Sequence, residues 1–153
     1  MTSPKRVLAE LENDFRAEVG VRLFTVLAWL PGRRVLHRVH TSHPAQYPVG
    51  GEKSVQVAAG WLATCIAKGK PYLGVDRKAV REVFADHVVI DRLGCGAVIN
   101  LPVRVDGRVV GVINLLDAEG AYDEDSVRRA ELLVPAAVPA VEALVHKLER
   151  RNA

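Results

Sequence analysis

Apolar residues along this chain fall into patterns whose period changes several times. Ser3 suits a helix cap and Pro4 a first helical position; Val7, Leu8, Leu11 and Phe15 then recur at helical spacing, which predicts a short amphipathic helix over 4–18 ending near Gly20. Positions 21–30 are nearly all apolar, many of them β-branched or aromatic, as in a strand covered on both faces. Pro31 and Gly32 turn the chain, and 34–41 returns as a second strand, with Val35, His37, Val39 and Thr41 on one face and Leu36, Arg38, His40 and Ser42 on the other. Residues 43–53, with Pro44, Pro48, Gly50 and Gly51, predict a loop of a length that usually goes with function. A helix over 54–68 burying Trp61 and Cys65, a short extended piece at 72–75, a helix from Asp76 to Phe84 and a loop over 85–96 follow. Two apolar runs, 97–105 and 108–116, flank Asp106 and Gly107, a strong hairpin signal. The last helix starts at Asp123 and carries an apolar stripe from Val127 to Leu148, with Pro135 and Pro139 predicting a kink or a break.

Two hairpins separated by a helical insertion and flanked by terminal helices make an α+β domain on an antiparallel sheet. A length of 153 residues is that of one domain, with its core over about 8–146. The 21 Lys and Arg exceed the 18 Asp and Glu by three, too small an excess for a nucleic-acid footprint, so no nucleic-acid partner is expected. No run of 18 apolar residues and no apolar stretch after the charged start predict a chain without a membrane segment or secretory leader, hence cytoplasmic. Cys65 and Cys95 lack metal-ligand spacing and read as free thiols.

The layout, together with the stretches RVHTSHPAQYPVGGEK, FADHVVIDRLGCGAVINLPV and GRVVGVINLLDAEGAY, resembles a GAF domain over about residues 8–146, and in particular small bacterial proteins made of that domain alone. The resemblance implies a five- or six-stranded antiparallel sheet, terminal helices on one face, and central helices and loops over a small-molecule pocket on the other. It also implies a sensory or regulatory module that reports its ligand through a homodimer or a protein partner. The apolar stripe of the last helix is the feature that suggests the dimer. The ligand and any cofactor are unknown at this stage.

The candidate site follows from the long loop and the strands around it. Arg38 and Lys53 are candidate anion anchors, His40, Ser42 and Tyr47 neutral hydrogen-bonding groups, and Trp61 an apolar wall; the plain alternative is a solvated edge strand and a core tryptophan. Asn100 and Asn114 lie in apolar strands, where an amide must be satisfied by backbone or by a ligand. A two-residue turn would place them on opposite faces, and a three-residue turn with a bulge at Gly107 on the same one. Cys95, between glycines and the more exposed thiol by sequence, could pair with His87 as an activated nucleophile, or be a buried structural thiol. Free methionine sulfoxide reductases of the GAF type need paired cysteines, and the place expected for the catalytic one falls near Asp91. A redox enzyme is therefore the second reading, and a purely structural dimerisation module the third.

Overall fold

A computed structural model describes residues 3–54, 63–84 and 87–151. Helix α1 (Pro4–Glu18) is capped by Ser3, whose side chain accepts from the Arg6 backbone, and buries Leu8, Leu11 and Phe15. It leads into β1 (Leu23–Leu30), β2 (Val35–Thr41) and β3 (Glu52–Ser54). A π-helical turn (Ala63–Ala67) precedes β4 (Tyr72–Gly74), α2 (Arg77–Val83) and α3 (His87–Arg92). The second hairpin, β5 (Ala97–Val105) and β6 (Arg108–Asp117), is followed by α4 (Glu124–Glu131), a 3-10 turn (Val134–Ala137) and α5 (Val138–Arg151). The six strands form one sheet in the order β3-β2-β1-β6-β5-β4, and every pairing is antiparallel. The architecture is the α+β one expected.

Each central strand has a dry side under the terminal helices. Phe24, Val26 and Ala28 of β1, Ile99, Leu101 and Val103 of β5, and Ile113 and Leu115 of β6 form one cluster with Leu8, Leu11 and Phe15 of α1 and Val141, Leu144 and Val145 of α5. The other face joins Leu23, Leu27, Leu36, Val98 and Val112 to Tyr47, Cys65, Val80, Phe84 and Ile90 of the central segment. The apolar stripe of the last helix is thus spent inside the chain, against its own sheet and α1, so it no longer argues for a dimer.

Four local expectations are changed or decided. The loop over 43–53 ends in a strand: β3 pairs with β2 at Val35↔Ser54, Leu36↔Lys53 and His37↔Glu52, so Ser54 belongs to a strand and does not open a helix. Glu52 meets His37 across the strand pair and Arg33 of the β1–β2 turn, contacts that local pattern does not show. The loop over 85–96 contains α3, which buries Ile90 beneath an otherwise polar or half-exposed surface. The last helix breaks completely between α4 and α5; Pro135 and Pro139 both sit in first turns, where their missing N–H groups cost nothing.

The fourth change is one of register. The β5–β6 hairpin closes through a two-residue turn in which Asp106 (φ 51°) and Gly107 (φ 78°) are both left-handed. The bulge lies further along: Arg104 faces Val109, Val103 faces Gly111, and Val110 is the extra residue. That single residue reverses the parity that the tight turn alone would set, and Asn100 comes to lie directly opposite Asn114 on the same face.

Candidate functional site

A second bulge decides the fate of the polar strand β2. His40 pairs with Val26 but Arg38 pairs with Leu27, leaving Val39 extra, so strict alternation fails between the two polar residues. Arg38, His40 and Ser42 therefore do not share a face. His40 turns to the terminal helices, its Nε2 at 2.9 Å from Glu12 Oε1 of α1 and its ring edge-on to Phe24. Ser42 Oγ accepts from the Phe24 backbone N–H at 2.9 Å and lies 2.8 Å from His43 Nδ1, an end-of-strand structural role. With His37 on Glu52, the histidines of this strand and its exit are each engaged by a different neighbour.

Arg38 alone reaches the opposite face, and it is buried. Its guanidinium lies 3.6 Å from the centre of the Tyr47 ring, and Nη1 donates to Pro48 O at 2.9 Å. Its backbone N–H donates to Gly51 O, and Gly50 N–H donates to its carbonyl. Gly51 is needed here: a Cβ would come 2.5 Å from Arg38 Nη1. Arg38 and Tyr47 thus clamp the loop to the sheet. Lys53 lies in β3 opposite Leu36, and Trp61 falls outside the described residues.

At the centre of the same face a polar row crosses the strands. Thr25, Asn114, Asn100 and Tyr72 stand opposite one another on β1, β6, β5 and β4. Asn100 Nδ2 donates to Asn114 Oδ1 at 2.6 Å, and Asn114 Nδ2 donates to Thr25 Oγ1 at 3.2 Å. All three polar side chains are buried. The Cys65 thiol donates to the Asn100 carbonyl from above, at 3.7 Å. Thr25 was not anticipated from sequence; it faces Asn114 through the β1–β6 pairing, which joins strands far apart in the chain and so leaves no local signal.

Among the described residues, the buried side-chain polar atoms without a hydrogen-bond partner are Asn100 Oδ1, His87 Nδ1 and Arg38 Nε. Asn100 and Arg38 are borne on the face beneath the central segment, and His87 opens α3, whose Ile90 packs into that layer. Strand geometry separates the first two: three strand spacings and a two-residue offset put the Arg38 and Asn100 Cα atoms about 16 Å apart. Asn100 and Arg38 thus stand at separate places on that face.

Both thiols are fully buried, so Cys95 is no more exposed than Cys65 and fits the buried of its two readings. Burial pushes the Cys65 thiol up to about 12 and the Cys95 thiol up to about 11, the latter against a partial counter-effect from Arg22. A catalytic thiol needs the reverse.

With this geometry in view, the comparisons place the chain. The GAF domain family matches residues 5–142, and the protein belongs to that family. No curated protein matches. Among solved structures, the GAF domain of a two-component sensor histidine kinase from Bacillus halodurans superposes with TM-score 0.72 at 11% identity, covering 91% of this chain and 93% of that one. A methyl-accepting chemotaxis protein fragment, residues 122 to 287, gives 0.71 at 18%, covering 95% and 92%. The type II free methionine-R-sulfoxide reductase of Thermoplasma acidophilum gives 0.68 at 14%, covering 92% and 93%. At such identities these likenesses concern the fold. No helix among the described residues is long and apolar enough to cross a membrane.

Proposed function

We propose that this GAF domain is a sensory or regulatory module that binds a small polar molecule between the sheet and the central segment. It reports occupancy to a second copy or to a protein partner. The observation that carries this reading is the contrast in buried polarity. Thr25, Arg38, Asn100 and Asn114 are buried on or beside the central-segment face, with unpartnered atoms at Asn100 and Arg38; on the terminal-helix side the buried polar residue is Ser126, fully used in the Asp123 capping box. An unpaired buried acceptor costs about 1 to 3 kcal/mol, a cost that a ligand N–H or O–H donated to Asn100 Oδ1 would remove. Asn100, Asn114 and His87 are the proposed contacts, while Arg38 and Tyr47 hold the loop that borders the site. His40 and Ser42 serve packing instead, and Cys95 is too deeply buried and too firmly protonated to favour the redox alternative.

The test is a thermal-shift screen of small polar metabolites on the wild-type protein, repeated with Asn100→Leu. Compounds that raise the Tm of the wild type and not of the folded variant are the expected result. A screen in which the same compounds shift both proteins equally, or in which none shifts either, overturns the reading.

A further inference from the structure

A different cavity opens at the edge of that layer, sharing Trp29 and Ile66 with it, and we propose that it is a second ligand site, selective for small organic cations that carry an apolar body. Beyond the Ala28↔Gly111 pair, β1 stays with β2 as far as Leu30↔Val35 and parts from β6. The extra residue Val110 bends the β5–β6 tip away at the same level. The resulting notch between the two hairpin ends, backed by α5, has a volume of about 590 Å³. This lies within the range of small-molecule sites.

Its floor is apolar, made by Trp29, Ile66, Val110 and Val145. Trp29 is half-buried, so part of its indole faces the notch. The rim carries Glu142 and Glu149, two helical turns apart on one face of α5, with His146 between them and Arg108 on the hairpin. Among the described residues neither carboxylate forms an ion pair, whereas Glu10 and Glu12 of α1 and Asp125 of α4 do. Glu149 also stands in the last turn of its helix, where the backbone dipole already presents its negative end. Arg150 and Arg151 share that turn but do not line the notch. On the rim two carboxylates face the single guanidinium of Arg108, beside an aromatic face, a combination that attracts an ammonium group and repels a carboxylate. Its charged rim, on α5 and the hairpin tip, lies apart from the polar row at Asn100.

Isothermal titration of the whole chain with 2-phenylethylamine, 2-phenylethanol and 3-phenylpropanoate tests charge selection at constant ring and similar length. The amine should bind about tenfold more tightly than the alcohol, and the carboxylate least tightly of the three. In the surface variant Glu142→Gln/Glu149→Gln the amine should fall to the affinity of the alcohol, with the alcohol unchanged, while Asn100→Leu should leave the amine unaffected. Equal affinities for amine and alcohol, no heat from the amine at millimolar concentration, or amine binding that survives the double glutamine variant each overturn the proposal. Loss of amine binding in Asn100→Leu would also overturn it, by moving the amine to the other site.

Discussion

Under the terminal helices, β1, β5 and β6 present Phe24, Val26, Ile99, Leu101, Ile113 and Leu115 to a layer of leucine, valine and phenylalanine. On the reverse of the same strands, Thr25, Asn100 and Asn114 form a buried row beneath a segment of short helices, turns and short edge strands. The two faces share backbone, twist and depth of burial, so their difference is one of side-chain choice. The first face gains stability at about 25 cal/mol for each Å² of apolar surface removed from water. The second gives up part of that gain for amides whose hydrogen bonds contribute little net and whose unpaired atoms cost. A face that retains such groups in the middle of a sheet gives up stability there, as the proposed ligand site requires, and the other anchors the fold.

The largest effect expected from this division is on the dry face. Phe24 is fully buried, with its ring 5.5 Å from that of Phe15 and 5.4 Å from that of His40. Phe24→Ala should cost about 3 to 5 kcal/mol in urea unfolding, from lost transfer energy and the cavity left between α1 and the sheet. A cost below that of any polar substitution on the opposite face would break the assignment of stability to the dry side.

The polar row supplies the next test, because its members are not equivalent. Asn114 is the hub, accepting from Asn100 and donating to Thr25. Asn114→Ala strands Asn100 Nδ2 and one lone pair of Thr25, at about 1 to 3 kcal/mol. Asn100→Ala strands only Asn114 Oδ1 and at the same time removes an oxygen that has no partner. It should therefore be the milder of the two by roughly 1 kcal/mol in the same unfolding experiment. An Asn100→Ala variant as costly as Asn114→Ala would show that its second oxygen is satisfied in solution and would remove the main reason for placing a ligand there.

Much of the fold was legible in the sequence because its elements carry strong local signals: the helical spacing in α1, continuous apolar strands, and Asp106 and Gly107 at a tight turn. The site was less so, and the reason is parity. One extra residue in a strand sends every later side chain to the other face, and neither Val39 nor Val110 differs in type from the residues that pair normally. The bulge at Val39 divided Arg38 from His40, while that at Val110 brought Asn100 and Asn114 together. Bulge position depends on how the twisted strands accommodate their neighbours, information that lies in tertiary packing. For the same reason the surroundings of Arg38 were not legible. Its charge suggested a ligand, whereas its stacking on Tyr47 and its bond to Pro48 depend on where the loop returns.

The smallest effect concerns the rim of the polar face, where β3 is held on the edge of the sheet by ion pairs at the surface. Glu52 Oε2 lies 2.9 Å from His37 Nδ1 and 2.7 Å from Arg33 Nη2, and the hydrogen bond from His37, then that from Arg33, holds its carboxyl below the ordinary value of 4.5. A carboxylate whose pKa falls on folding contributes stability that is fully present above its unfolded pKa and is lost as pH drops through the folded value. Because the pair is partly solvated, screening limits this contribution to at most about 1 kcal/mol. Glu52→Gln should therefore be slightly less stable than the wild type at pH 6 to 7, and the two unfolding curves should converge as the pH falls below about 4.5. High salt should close the same gap at neutral pH, since exposed charges are screened within about 10 Å at 0.1 M ionic strength. A gap that persisted unchanged at pH 3 would show that the edge strand is held by its backbone ladder to β2 alone, and the contrast between an anchored face and an electrostatically tethered rim would not hold.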